Sequence, residues 1–318
     1  MTDGFQPRDY FIPYGIFLAI VLMAFLSPSL GMFAGVFIPV PLILVYLQRG
    51  KISGLVTITG VALVLLFLVG PQLAIAFISA YGIMAATMAE ATRLSVPFDK
   101  TILFGALAPA VLTGLLVLVG MSGEGESPVQ FLEKALKEEA EGYLEILKKS
   151  GESPESLKSF NDFMERATPL LARIFPAFLL VSSLVGAVIN FLAVRFLWLR
   201  FYSRKYFEGV DIARFMLPDV LVWVLISSIG SLMMGMGLIR TLGMNFAFVS
   251  LFLYFFQGLA VVAHILKAKS FPAWVWVIVF GLILLNPMFM GLVIGAGLFD
   301  IWADFRKIRV TAPPASTN

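Results

Sequence analysis

The chain has no cysteine and only one histidine among its 318 residues. Without cysteine it can form no disulfide, no thiol nucleophile and no thiolate metal site. The single histidine, His264, does not suffice for the clusters that usually hold catalytic zinc. The sequence also has no HExxH, GxSxG, phosphate-binding-loop or dinucleotide-binding motif. We therefore expect a protein that is not an enzyme and that binds no metal or other cofactor.

Charged residues are also scarce. They make up 14% of the chain, whereas 59% of the residues are hydrophobic and the mean hydropathy is +0.93. Soluble domains are about 25% charged and about 45–50% apolar, so this composition indicates an integral membrane protein whose partner is the lipid bilayer. The net charge is +3. Its basic residues lie in short loops between apolar runs, which is typical of membrane proteins and does not indicate nucleic-acid binding.

The long apolar runs predict an all-α fold, a polytopic transmembrane helical bundle. Most runs have about 18–21 residues, which as helix gives about 27–32 Å and matches a hydrocarbon core of about 30 Å. Eight full spans are predicted, at residues 11–27, 30–47, 52–69, 72–91, 101–121, 170–198, 218–238 and 245–265. The last apolar stretch, 271–299, is interrupted at Asn286-Pro287. It predicts a short C-terminal helical hairpin, either crossing fully or re-entrant.

The positions of lysine and arginine predict the orientation. Fifteen of the 23 basic residues fall on the side that also holds both termini, which the positive-inside rule assigns to the cytoplasm. The hairpin at 271–299 returns Arg306, Lys307 and Arg309 to this side. Asp219, Asp300, Asp304 and Arg306 are all placed at or beyond the cytoplasmic boundary. A dyad of Asp219 and Asp300 would be needed for a membrane-embedded hydrolase, the weakest of the hypotheses.

A single long polar segment, residues 122–167, interrupts the apolar sequence and holds 11 of the 20 acidic residues. Ser127-Pro128 and Ser153-Pro154 are helix-start signals, and Gly151 separates them. Apolar residues recur on one face of each predicted helix. The segment therefore predicts an extracytoplasmic helical hairpin. It is inserted between transmembrane blocks at 1–121 and 168–309, and residues 310–318 form a disordered tail.

Small residues share single faces of several predicted helices. Their spacing of three, four or seven positions lets helix backbones approach closely. Packing within the monomer is the first interpretation, and a docking face for a separate membrane subunit is the alternative. These residues are Gly31, Gly35, Gly82, Ala85, Ala89, Ser183, Gly186, Ser228, Ser231 and Gly235.

Three polar side chains inside predicted spans are candidates for ligand binding. Gln257 and His264 are seven residues apart and share a helix face, and Asn190 lies in the middle of its span. Polar groups at this depth are costly unless they have partners. A structural hydrogen bond between helices is the simpler interpretation, and a ligand or proton pathway is the alternative. Glu90 and Arg93, at i and i+3, predict an ion pair at a helix end.

Two strings in the C-terminal half are YFFQGLA at 254–260 and GLFDIWADFRK at 297–307. They resemble the YybS-like family of predicted bacterial membrane proteins, a domain of unknown function. The resemblance implies a location in the bacterial inner membrane. The family is distantly similar to the substrate-binding subunits of energy-coupling-factor transporters, which implies a transport role.

The leading hypothesis is a small-molecule carrier or substrate-binding transport component. It would bind its ligand between helices, through Gln257, His264 and Asn190, and would work with a partner ATPase subunit. The alternative is a non-transporting membrane scaffold that binds an envelope partner through the hairpin at 122–167.

Overall fold

The computed structural model describes residues 8–121, 127–202, 206–234 and 237–308. Within these ranges the regular structure is entirely helical, so the all-α prediction is confirmed. Gly235 and the tail at 310–318 lie outside the described residues. The helices are α1 (Arg8–Leu26), α2 (Pro28–Gly35), α3 (Pro39–Arg49), α4 (Lys51–Leu68), α5 (Pro71–Phe77), α6 (Ile83–Arg93), α7 (Phe98–Gly120), α8 (Pro128–Lys149), α9 (Pro154–Phe201), α10 (Val220–Met233), α11 (Gly237–Ala268), α12 (Ala273–Leu285) and α13 (Pro287–Ala303).

The number of full spans differs from the prediction. Among the described residues, five helical segments are long and apolar enough to cross a membrane, or six if α12 and α13 together make one span. The eight predicted full spans are therefore not confirmed. Three of them correspond to shorter apolar helices, of which α10 has 14 residues. A helix of that length covers about 21 Å, less than the hydrocarbon core of about 30 Å. The five segments are Lys51–Leu68, Pro71–Arg93, Phe98–Gly120, Pro154–Phe201 and Gly237–Ala268.

Proline explains one of these differences. The predicted span at 30–47 is two helices, because α2 ends at Gly35 and α3 begins at Pro39 after a turn. Proline has no backbone N–H and is tolerated at the first helical position, where that donor would be unpaired anyway. Four other prolines lie inside helices, Pro13 in α1, Pro109 in α7 and Pro169 and Pro176 in α9. Proline alone therefore does not tell a break from a continued helix.

The chain forms two compact units. Unit 1 consists of Met1–Pro128 and Leu179–Val210, and unit 2 of Val129–Phe178 and Asp211–Asn318. Helix α9 contributes to both, and it runs through residue 167 without a break. The division into blocks at 1–121, 122–167 and 168–309 stays a prediction.

Within unit 1, small residues lie at close helix contacts. Ala85 and Ala89 of α6 are fully buried. A Cβ atom added at Gly105 of α7 would collide with the side chain of Met88, so these two helices approach closely because one residue has no side chain. The span Pro71–Arg93 contains one π-helical turn, Ile78–Gly82, between α5 and α6. Gly82 is buried within this turn.

The polar segment is helical, and its start and stop signals are where the sequence predicts them. Helix α8 begins at Pro128, and Gly151 has a left-handed φ of +81° just after α8 ends. The hydroxyl of Ser153 accepts a hydrogen bond from the Ser156 N–H at 3.2 Å, before α9 begins. The rings of Tyr143 and Phe160 lie 5.5 Å apart, so α8 and the first part of α9 pack against each other.

Helices α12 and α13 form a sharply bent pair. Their axes differ by 103°, and the break lies at Asn286-Pro287, as predicted. The side-chain oxygen of Asn286 accepts a hydrogen bond from the Met288 N–H at 2.9 Å and caps α13. An asparagine cap followed by proline starts a new helix and satisfies one of its free N–H groups.

Candidate functional site

The candidate site is a buried polar cluster in unit 2, centred on Gln257 of α11. Gln257 is completely buried. Its Oε1 accepts a hydrogen bond from the Leu217 N–H at 2.9 Å, and its Nε2 donates to the carbonyl oxygen of Gly297 at 3.0 Å. The same Nε2 lies 3.4 Å from Oδ2 of Asp300. One amide therefore joins α11, α13 and the segment that precedes α10.

Asp300 and Arg306 form a buried ion pair beside this amide. The side chains are only 2% and 1% exposed. The guanidinium donates to the Oδ2 atom of Asp300 from Nη2 at 2.6 Å and from Nε at 3.1 Å. Its Nη1 donates to the carbonyl oxygens of Ala213 at 2.8 Å and Phe215 at 2.7 Å. Each charge thus has its partner inside the protein, as a buried charge requires.

A tight turn places Arg306 over its partner. Helix α13 ends at Ala303, and Asp304 follows with a left-handed φ of +40°. Aspartate tolerates this conformation better than most residues because its short side chain bonds locally. Here its Oδ1 accepts a hydrogen bond from the Ile308 N–H at 2.9 Å. The chain reverses, and the side chain of Arg306 reaches back to Asp300 six positions earlier.

The segment 211–219 supplies the other half of the cluster. Apart from one 3-10 turn, Ile212–Arg214, it has no regular structure before α10. Its backbone groups therefore need other partners, because buried backbone N–H and C=O groups are nearly always paired. Arg306 and Gln257 provide these partners for the carbonyl groups of 213 and 215 and the N–H of 217.

Asp211 anchors the start of this segment. Its carboxylate accepts hydrogen bonds from the Ala213 N–H at 3.2 Å and from Lys267 Nζ at 2.9 Å. The hydrogen bond from Lys267 holds the pKa of the Asp211 carboxyl below its ordinary value, and burial opposes this shift only in part. Lys267 lies in the last turn of α11, so the segment is tied to the end of that helix.

Both ends of the α12–α13 pair lie beside the same short segment. Lys267, before α12, contacts Asp211, and Arg306, after α13, contacts the carbonyl groups of residues 213 and 215. Five residues span at most about 18 Å, less than the hydrocarbon core of about 30 Å. The two ends of the pair therefore lie near one segment of the chain, and whether the pair crosses fully or is re-entrant stays a prediction.

The sequence model of a family described as "Predicted membrane protein (DUF2232)" matches residues 15–301. The chain belongs to this family. No curated protein and no solved structure matches it. The predicted YybS-like resemblance is thereby confirmed, and this DUF2232 member is a membrane protein with several apolar helices.

In this DUF2232 protein the two strings that carry the resemblance meet in the cluster. Gln257 and Gly258 belong to the first, and Gly297, Asp300 and Arg306 belong to the second. A Cβ atom at Gly297 would collide with the backbone of α11 at Tyr254 and Gly258, and one at Gly258 would collide with the carbonyl group of Val293. The two glycines allow α11 and α13 to pack so closely that the Gln257 amide reaches the α13 backbone.

Three buried polar atoms in unit 2 have no hydrogen-bond partner within the described chain. They are Oδ1 of Asp300 and the hydroxyl oxygens of Tyr254 and Thr168. Tyr254 is completely buried in an apolar cluster with Leu217 and Ile301. Most buried polar groups in proteins are paired, so such exceptions require an explanation. Asp300 in particular has an oxygen that remains available to a further donor.

The other two predicted ligand-binding residues do not join this cluster. Asn190, buried in unit 1, donates through Nδ2 to the carbonyl oxygens of Val36 at 2.9 Å and Gly186 at 2.8 Å. His264 is partly buried on α11. The side-chain amides of Gln257 and Asn190 each donate both hydrogens to other groups of the protein. Such bonds are what a structural role for these residues would require. Ligand binding by the three residues stays a prediction.

Some of the small residues predicted to pack helices lie at helix contacts, and others form hydrogen bonds within their own helix. A Cβ atom added at Gly186 would lie 3.4 Å from the side chain of Met84, which is ordinary van der Waals contact. The hydroxyls of Ser228 and Ser231 donate to backbone carbonyl groups of their own helix. A Cβ atom at Gly243 of α11 would collide with Ser231 Oγ, so α10 and α11 approach closely there. Their functional role stays a prediction.

Sequence analysis placed Asp300 and Arg306 separately at the cytoplasmic boundary and did not foresee that they pair. Their spacing of six is not a helical contact distance, so no local rule predicts the pair. The Glu90–Arg93 ion pair, which has helical spacing, is present at 3.2 Å. The signal that could have pointed to the buried pair is the second string of the resemblance, which contains both residues.

Proposed function

We propose that this protein is a carrier-type membrane protein that binds a small molecule within unit 2. The supporting observation is the buried Asp300–Arg306 pair at the end of the sharply bent pair of helices α12 and α13. Ionisable groups at membrane depth are costly and concentrate on substrate or ion pathways. Broken helices whose ends meet polar groups are a recurring feature of carriers.

Stability alone does not account for the pair. Replacing a buried ion pair with apolar residues of similar volume is often neutral or stabilising by about 1–4 kcal/mol. A chain that needed only to join α13 to the segment 211–219 would be served as well by apolar packing. Asp300 also keeps one buried oxygen without a donor. A binding role would explain both why the pair is charged and why one carboxylate oxygen of Asp300 has no donor.

The proposal includes a partner ATPase subunit and a location in the bacterial inner membrane with both termini in the cytoplasm. The family resemblance and the distribution of basic residues support these parts. The similarity to substrate-binding subunits of energy-coupling-factor transporters belongs to the same proposal. We propose no enzymatic activity.

Thermal unfolding of the protein in lipid nanodiscs, screened against a library of small solutes, tests the proposal. We expect at least one solute to raise the melting temperature of the wild type and not that of the double variant Asp300→Leu/Arg306→Met. The double variant removes both charges, so it is expected to fold. Arg240→Ala is the control, because Arg240 is exposed on α11. A solute that stabilises the double variant equally would contradict the proposed site.

The scaffold function is the second candidate, and exposed apolar residues on the hairpin favour it. Tyr143, Ile146 and Phe163 are 52%, 60% and 62% exposed on α8 and the first part of α9. Exposed apolar patches of this kind mark interaction sites. A scaffold should lose its co-purifying partner when all three residues are changed to serine or when residues 124–166 are deleted. A carrier should keep its solute-induced stabilisation in the serine variant.

A further inference from the structure

We infer that the oxygen atoms around Arg306 form a binding site for a guanidinium-type organic cation, and that the Arg306 side chain fills this site in the absence of solute. This inference rests on the proposed carrier function, to which it adds the class of substrate. The site is made by Asp300 Oδ2 and by the carbonyl oxygens of Ala213 and Phe215. These three atoms come from two separate parts of the chain and converge on one planar group.

The geometry matches a cation that carries several N–H donors. Four N–H···O contacts between 2.6 and 3.1 Å surround the guanidinium. A guanidinium has five donors in a rigid fork, which suits one carboxylate oxygen and two carbonyl groups lying in different directions. A hard metal ion would need about six oxygen ligands at about 2.0–2.6 Å, which exceeds the three acceptors present. The unbonded Oδ1 of Asp300 offers one more acceptor to an incoming donor.

The tether of Arg306 allows the side chain to leave. Arg306 follows the end of α13, in a turn where Asp304 and Lys307 have φ values of +40° and +52°. A change in this turn can withdraw the side chain without unwinding α13. The groups that form the site, by contrast, lie on α13 itself and on a segment held by Gln257 and Lys267. The occupant is therefore attached outside the regular helix, whereas Asp300, which holds it, lies within α13.

Charge balance requires that one cation replaces another. Removing one partner of a buried ion pair costs about 3–5 kcal/mol because it leaves an uncompensated charge. Arg306 therefore leaves Asp300 readily only when the solute supplies an equivalent charge. The Gln257 amide, which also faces Asp300 Oδ2, is neutral and cannot take over this role. The exchange is electroneutral at the site and couples solute binding to release of the C-terminal turn.

The first experiment is chemical rescue in Arg306→Ala, which empties the site. We expect its melting temperature in nanodiscs to be lower than that of the wild type, and methylguanidinium at about 1–20 mM, well below denaturing concentrations, to restore most of the loss. Tetramethylammonium, a cation without N–H donors, and sodium chloride at the same ionic strength should not. Arg240→Ala, in which the site is intact, should respond to each of them as the wild type does, and Asp300→Leu/Arg306→Met should not be rescued.

If Arg306→Ala does not fold, Arg306→Gln, which keeps two donors, replaces it in the same measurement. Absence of rescue in a folded variant, or equal rescue by tetramethylammonium, overturns the site. This result would leave the carrier function intact, because a different solute can still stabilise the wild type in the library screen.

The second experiment measures exchange in the wild type. Methylguanidinium should raise amide hydrogen exchange of residues 304–308, because the turn is released when Arg306 leaves, while residues 213–217 stay protected. Rescue of Arg306→Ala without any change in the wild type would overturn the exchange, since Arg306 would then be a permanent part of the fold. A screen in which no solute stabilises the wild type would contradict the carrier function itself.

Discussion

The two units each contain an acidic residue with basic partners, and the two arrangements differ mainly in exposure. In unit 1, Glu90 lies 3.2 Å from Arg93 and 3.4 Å from Lys51, and its side chain is 30% exposed. In unit 2, the Asp300–Arg306 pair is at most 2% exposed. Exposed ion pairs contribute about 0–1 kcal/mol, whereas breaking a buried pair costs several times more. Breaking the buried pair is therefore expected to cost much more stability than breaking the exposed one. The buried pair also holds the backbone of residues 213 and 215 in place.

The difference extends to what surrounds each pair. Glu90 also accepts a hydrogen bond from the Tyr46 hydroxyl at 2.7 Å, but its other partners are flexible side chains at the surface. The partners of Arg306 are backbone carbonyl groups in fixed positions. The exposed cluster can lose one partner and rearrange in solvent. The buried cluster cannot, because water is not available to replace a missing partner.

The largest effect is expected when the buried pair is broken on one side. Asp300→Ala should lower the free energy of unfolding by about 3–5 kcal/mol, because Arg306 remains buried without a counter-charge. The double variant Asp300→Leu/Arg306→Met should recover most of this loss. Denaturant titration of the protein in mixed micelles measures both values. A single variant that loses less than about 1 kcal/mol would place the pair in the same class as the exposed cluster.

A smaller loss is expected for Gln257→Leu, which keeps the volume of the side chain and removes the amide. The N–H of Leu217 and the carbonyl group of Gly297 then lose a buried partner. Each unsatisfied buried group costs about 1–3 kcal/mol, and the same titration measures the sum. His264→Leu, on the same helix but only partly buried, is the control. If Gln257→Leu keeps wild-type stability and loses only its response to a solute, the amide serves the ligand and not the fold.

Much of the local structure could be predicted from the sequence. The helix starts at Ser127-Pro128 and Ser153-Pro154, the stop at Gly151 and the break at Asn286-Pro287 depend on residues that are neighbours in the chain. The Glu90–Arg93 pair likewise follows from helical spacing. These features were found because backbone geometry within one or two turns decides them.

The buried cluster could not be predicted in this way. Gln257 contacts Leu217 and Gly297, each 40 residues away, and Arg306 contacts Ala213 across 93 residues. Such contacts depend on how α11 and α13 pack, which periodicity does not determine. The predicted number of full spans is not confirmed for a related reason. Apolar runs measure hydrophobic length, whereas the breaks before Pro39 and at both ends of α10 shorten the helices.

A third prediction tests the exposed side of the comparison. Glu90→Gln should change the free energy of unfolding by about 0–1 kcal/mol, because exposed pairs are screened by solvent and the amide can still accept the Tyr46 hydrogen bond. The matched buried substitution, Asp300→Asn, should cost several times as much in the same assay. A loss at Glu90 as large as that at Asp300 would show that exposure does not explain the difference between the two units.

The smallest effect concerns Asp211, which lies at the edge of the buried cluster with its side chain 33% exposed. Its pKa is held below its ordinary value of 3.8 by the hydrogen bond from Lys267. A lowered pKa means that the folded protein binds the proton less tightly than the unfolded chain does. The stabilisation is therefore complete above pH 3.8 and is lost as the pH falls through the folded-state pKa.

Thermal unfolding of the wild type and of Asp211→Asn between neutral and acidic pH measures this contribution. The two melting curves should differ slightly at neutral pH and should converge as the pH falls below 3.8, because Asp211 then becomes protonated in the folded protein too. Solvent screening keeps the difference small, as for Glu90. Curves that coincide at every pH would mean that Asp211 acts only as the cap of the turn at Ala213, a hydrogen bond that asparagine also accepts. The link from Lys267 to the segment 211–219 would then contribute nothing to holding the cluster together.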